Sequence, residues 1–155
     1  MLDSLLVPFR SQPPPPSLPE GYRLEADVGP ATDQLNRLLV ACGDPSRPAE
    51  RLQRALERST WLLSVRNPAG VLAAFVRATS DLALNANLWD LAVDPLDAHR
   101  PQLLLVLVHT ALARLRRELP GCSISVAALP EAVEPLRRQG FVVDPGGIRA
   151  MGLRL

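Results

Sequence analysis

Beyond residue 21 the hydrophobic positions recur with two periods, and the switches between them mark out the elements. The segment YRLEADV (22–28) alternates enough for a first strand. Leu35, Leu38, Leu39 and Cys42 then fall at helical spacing within 31–42, with Thr32 or Asp33 as the cap and Gly43 closing the turn. A second helix is predicted over 48–59, where Pro48 opens the first turn and Leu52, Ala55 and Leu56 share a face. TWLLSVR (60–66), the turn NPAG and VLAAFVRA (71–78) read as a hairpin, and ANLWDLAV (86–93) extends it to a meander. A long helix over 101–119 stops at Pro120-Gly121. CSISVAAL (122–129) is a short strand, and a helix over 130–139 ends at Gly140. FVV, the turn DPGG and IRAMGLRL read as a closing hairpin.

A meander followed by a strand–helix–strand crossover predicts an α/β fold: a mixed central sheet of about seven strands with helices on both faces. The long helix agrees. Residues Leu103 to Val108 are apolar without interruption, so its first two turns are buried on nearly every side. Gln102, His109 and Arg116, spaced by seven, leave one thin polar stripe.

The 155 residues suit one domain, and 47% hydrophobic with 21% charged residues marks a globular chain. A net charge of +1 gives no general attraction to nucleic acid or to an anionic membrane. All 17 basic residues are arginine, which rules out lysine chemistry. Cys42 and Cys122 have no metal-ligand spacing, and the opening MLDSLLVPFR lacks a basic secretory n-region. Both observations point to a reducing, cytoplasmic setting. SQPPPPSLPE (11–20) is held extended by its prolines. Residues 1–20 form a proline-rich arm, either a stiff lead-in or a ligand for a protein partner with an aromatic groove. The compact domain is expected over 21–155.

The element order, with WDLAVDP (89–95) and RQGF (138–141), resembles the GNAT superfamily of N-acetyltransferases over nearly the whole domain. The resemblance implies a single GNAT-like domain and acetyl-CoA as acetyl donor. It also implies a splayed strand whose backbone at Leu91, Ala92 and Val93 meets the pantetheine amides. Asp90 stands where the family often has an acidic residue and is the candidate general base. The family's phosphate loop, Arg/Gln-x-x-Gly-x-Gly/Ala, aligns on Arg100, which makes Gln102, Leu103 and Leu105 cofactor-contacting positions. Both glycines are leucines, Pro101 follows Arg100, and the loop runs about two residues longer than the usual form. A helix N-terminus still offers free N–H groups to an anion, and Arg100 can chelate phosphate oxygens. Leucine side chains at 103 and 105, however, would crowd the approach. Gly140-Phe141 fit the later helix, while Leu136 replaces the tyrosine that commonly protonates the departing thiolate.

Other features read more simply. Arg47, Arg51, Arg54 and Arg58 form a solvated helical stripe, and Trp61 and Trp89 are expected to pack. His99 and His109 lack a third ligand nearby, so no metal is expected, and no G-x-S-x-G occurs. Three functions follow. The first is acetyl-CoA-dependent N-acetyl transfer to an unknown amine through a glycine-free phosphate loop. The second is a catalytically inactive GNAT-fold binding or assembly module. The third is a small metabolite-binding regulatory domain, which requires a different strand order.

Overall fold

The computed structural model describes residues 14–153. Its elements run β1 (Arg23–Ala26), α1 (Thr32–Ala41), α2 (Ala49–Glu57), β2 (Trp61–Arg66), β3 (Leu72–Ser80), β4 (Asn85–Val93), α3 (Arg100–Glu118), β5 (Ser123–Val126) and α4 (Pro130–Arg138). The sheet order is β1-β2-β3-β4-β5, antiparallel up to β4 and parallel between β4 and β5. The sheet is therefore mixed, as the crossover through α3 requires.

Alternation along the strands separates two cores. Leu62, Leu72, Phe75 and Ala92 face Leu35, Leu38, Leu39, Leu52 and Leu56 of α1 and α2. Trp61, Leu63, Val65, Val76 and Leu88 face the other way, against Leu103, Leu107, Ala111 and Leu115 of α3 and Ala132 and Leu136 of α4. Helices thus cover both faces. No helix among the described residues is long and apolar enough to cross a membrane.

The expectation of about seven strands is corrected to five among the described residues. Residues 141–143 and 148–153 form no strand; a 3-10 turn at Pro145–Gly147 lies between them. Asp144, Gly146 and Gly147 all take positive φ, which coils the chain tightly where a hairpin was expected. The edge available for pairing, β5, has four residues that alternate between exposed and half-buried, so it offers little apolar face to reward further strands. Phe141 packs back on the α3-side core, while Val142, Val143 and Ile148 stay exposed.

The β3–β4 turn is held by one carboxylate. Asp81 accepts the N–H groups of Asn85, Ala83 and Leu84, and these bonds lower its pKa from 3.8 to about 2. A depressed folded value means the contribution is complete above the ordinary carboxylate range and is lost as pH falls through about 2. An NMR titration of the Asp81 carboxyl carbon is expected to show a midpoint near 2, not near 3.8. An ordinary midpoint would mean that the turn is open in solution.

Candidate functional site

β4 and β5 pair only from Asn85 to Leu88 against Ser123 to Val126. β5 then ends, while β4 continues through Trp89 to Val93 with no partner on that side. A bulge in β4 begins at this point. Arg77 faces Trp89 and Phe75 faces Ala92, so Asp90 and Leu91 together oppose Val76. Asp90 has φ +55°, a left-handed conformation that a short polar side chain tolerates. Such a bulge sharpens the local twist of β4.

The opened edge presents backbone groups. Asp94 N–H donates to Ala73 C=O at 2.8 Å, so the intervening Val93, paired with Ala74, turns its own N–H and C=O away from β3 into the gap. The Cys42 thiol, at the end of α1, donates to the Val93 carbonyl at 3.3 Å. Burial pushes that thiol's pKa up, so it remains a neutral donor.

Because β4 and β5 are parallel, the helices that follow them, α3 and α4, both begin at this end. Ligands of open α/β sheets gather in such a crevice. Arg100, in the first turn of α3, spans it to Glu131 in the first turn of α4. The Arg100 Nε is buried without an acceptor among the described residues.

The loop before α3 supplies its own anions. Asp97 Oδ1 accepts His99 N–H at 2.8 Å, the Asp97 carbonyl accepts Arg100 N–H at 3.1 Å, and Asp94 Oδ1 accepts Leu96 N–H at 2.9 Å. Leu103 N–H donates to His99 C=O at 2.9 Å and Pro101 has no N–H. Of the first-turn amides, only Gln102 N–H is left for a ligand.

On the opposite face of β4, Asp90 is clamped. Its Oδ2 accepts Arg77 Nε at 2.6 Å and its Oδ1 accepts Arg47 Nη1 at 3.1 Å; Arg47 also reaches Asp44 at 3.2 Å. The Asp90 side chain is 8% exposed. Next to this cluster, Trp89 is 42% exposed, with its Nε1–H on Thr79 Oγ1 at 2.7 Å and the Arg77 guanidinium 6.0 Å from its ring centre.

No family model matches the chain. It is 39% identical over 131 residues to serotonin N-acetyltransferase 2, chloroplastic, of Oryza sativa subsp. japonica, covering 81% of this chain and 61% of that protein. It is 31% identical over 121 residues to an uncharacterized N-acetyltransferase of Pyropia yezoensis, covering 76% of this chain and 68% of the relative. The chain belongs to the GNAT superfamily of N-acetyltransferases. The fold agrees: a probable acetyltransferase of meticillin-resistant Staphylococcus aureus superposes with a TM-score of 0.75 at 15% identity, over 86% of this chain and 99% of that one. A GNAT family protein of Streptococcus pneumoniae gives 0.64 at 14% identity, over 86% and 97%.

Set against the GNAT positions, Leu91, Ala92 and Val93 end β4 and are each buried, while Arg100 and Gln102 stand in the first turn of α3. Leu103 separates from them. Its side chain is fully buried among the α3-side core residues and its N–H is spent on His99, so the crowding expected there does not occur. α3 begins at Arg100, and residue 103 falls on its core side. Leu105 is 37% exposed on the outer face. Leu136 is buried under α4 and leaves no hydroxyl in the tyrosine position.

Two sequence readings are corrected. Arg47 leaves the helical stripe for the Asp90 cluster, and Trp89 is exposed where packing was expected. Arg77, Asp97, Glu131 and Cys42 went unnoticed as site residues. Only Asp97, two residues before His99 and next to a helix start, carried a local sign as a capping residue.

Proposed function

We propose that this GNAT-superfamily chain transfers an acetyl group from acetyl-CoA to an amine, at the opened edge of β4. The bulge at Asp90, with Val93 turned into the gap beside two helix N-termini, is the observation that carries this reading. Acetyl-CoA supplies an activated thioester. The backbone of Leu91, Ala92 and Val93 would align its pantetheine arm, and Arg100 and the Gln102 N–H would meet its phosphates. The amine loses a proton as its nitrogen bonds to the acetyl carbon, and the thiolate leaves and is protonated. With Leu136 apolar and both Asp90 oxygens bound by arginines, water serves these proton transfers, and Asp90 acts as a positioning residue.

The acceptor is proposed to be an arylalkylamine. Trp89 offers a ring face fixed by Thr79 on the side of β4 opposite α3, and a rice relative is named for serotonin. A second reading is favoured by the self-capped α3 and by Leu136: a GNAT-fold binding module without turnover.

Thermal melting separates the two. A ligand at 100 times its Kd stabilises by about 2.7 kcal/mol, a Tm rise of roughly 5–11 °C at this size. Millimolar acetyl-CoA is expected to give that rise. Free thiol should then appear faster with an arylethylamine than with an alkylamine of equal length. A shift without thiol release favours the binding module; no shift rejects the acetyl-CoA site.

A further inference from the structure

The phosphate end of the crevice fits acetyl-CoA poorly as it stands, because the chain's own N-terminal segment lies across it. We propose that residues 14–22 form a strap closed over the first turn of α3, and that the phosphates of an acyl-CoA dock only when this strap is displaced. The inference rests on the acetyl-CoA reading above and adds a control step to it.

Several contacts hold the strap at that place. Gln102 Nε2 donates to the Ser17 carbonyl at 2.8 Å, so the residue whose N–H remains for a ligand is tied through its side chain. Leu18 and Tyr22 pack against the core cluster that contains Leu103, Leu104 and Leu107. The Tyr22 hydroxyl donates to the Asp97 carboxylate at 2.9 Å, and the Tyr22 ring meets His99 edge-on at 5.6 Å. Asp97 is the group that caps His99, so the strap is fastened to the same carboxylate that stands in for an external anion. Partial burial, then the Asp97 bond, raise the Tyr22 pKa, which keeps the hydroxyl a donor.

The path of the strap is specific. Tyr22 N–H closes a turn on Pro19 C=O at 3.2 Å, and Gly21 takes φ +79°. A Cβ on Gly21 would lie 2.9 Å from Pro68 Cγ, so that passage admits only glycine. Pro14, Pro15, Pro16 and Pro19 stiffen the segment, which therefore loses little conformational entropy on docking and gains little on release. Its hold on α3 and the loop before it consists of a few polar contacts and the packing of Leu18 and Tyr22. Each hydrogen bond of this kind replaces one to water and contributes little net, so a diphosphate with several charge-assisted bonds outcompetes them.

Hydrogen exchange read by mass spectrometry on the full chain tests this. The probes are acetyl-CoA and acetyl-pantetheine, a thioester without phosphates. Saturating acetyl-CoA is expected to speed exchange at the Tyr22 amide, which closes the turn on Pro19 C=O, and acetyl-pantetheine is expected to leave it unchanged. The double variant Leu18→Ser, Tyr22→Phe, which loosens the strap, is expected to bind acetyl-CoA about 10-fold more tightly, as a competitor is removed. A Tyr22 amide that stays unchanged or becomes more protected on acetyl-CoA binding overturns the strap alone and leaves the donor reading intact. A loosened variant that binds no more tightly does the same. If neither protein binds acetyl-CoA while both melt cooperatively, the donor reading fails and the strap fails with it.

Discussion

Leu103→Ala is expected to cost about 3 kcal/mol of stability, within the range of large-to-small core substitutions. The side chain is fully buried in the cluster that joins α3 to β2, β3 and β4, and its neighbours Leu104, Leu107 and Val108 are buried as well. A close-packed interior fills the space of three lost carbons only in part, so the cavity adds to the transfer loss. Leu105→Ala provides the contrast. That side chain is 37% exposed on the outer face of α3, and its truncation is expected to cost less than about 1 kcal/mol. Urea unfolding of the two variants at unchanged m-value measures the difference. Equal small losses would mean that residue 103 does not face the core, and would restore the crowding that a glycine-free phosphate loop predicts.

Asp90→Asn is the second large effect. Asparagine keeps the left-handed preference that φ +55° demands, so the bulge is retained while the charge is lost. Arg77, whose side chain is 16% exposed, then keeps a guanidinium with a neutral partner, and Arg47, at 35%, partly regains water. Removing one member of a buried pair costs roughly 3–5 kcal/mol; the access of Arg47 to water brings the expectation to about 3 kcal/mol. With Arg77→Met, a double-mutant cycle is expected to show a coupling above about 1 kcal/mol. A general base would behave differently. Its loss would lower kcat and leave the unfolding midpoint where it was. That outcome would return Asp90 to the proton-transfer role and remove the reason for assigning it to water.

Both expectations concern residues for which the linear pattern left two readings open. Leu103 read both as a buried position of an apolar helix and as a glycine position of a phosphate loop, and the start of α3 at Arg100 leaves it in the core. Asp90 read as an acid beside a strand end. Its partners Arg47 and Arg77 lie 43 and 13 residues away, and nothing in local spacing joins them. The closing hairpin failed for a related reason. Apolar alternation in 141–153 allows strands, but strands form only where an edge rewards them, and β5 is too short.

The sequence alone determined the nine α and β elements and the family, because hydrophobic period, caps and the WDLAVDP motif are properties of neighbouring residues. The tertiary structure decided which groups meet at the crevice: Arg100 with Glu131, Asp97 with Tyr22, and Gln102 with Ser17 across 85 positions. Those contacts depend on strand twist, loop length and helix rotation, which are settled by packing of distant segments and leave no periodic trace in the chain.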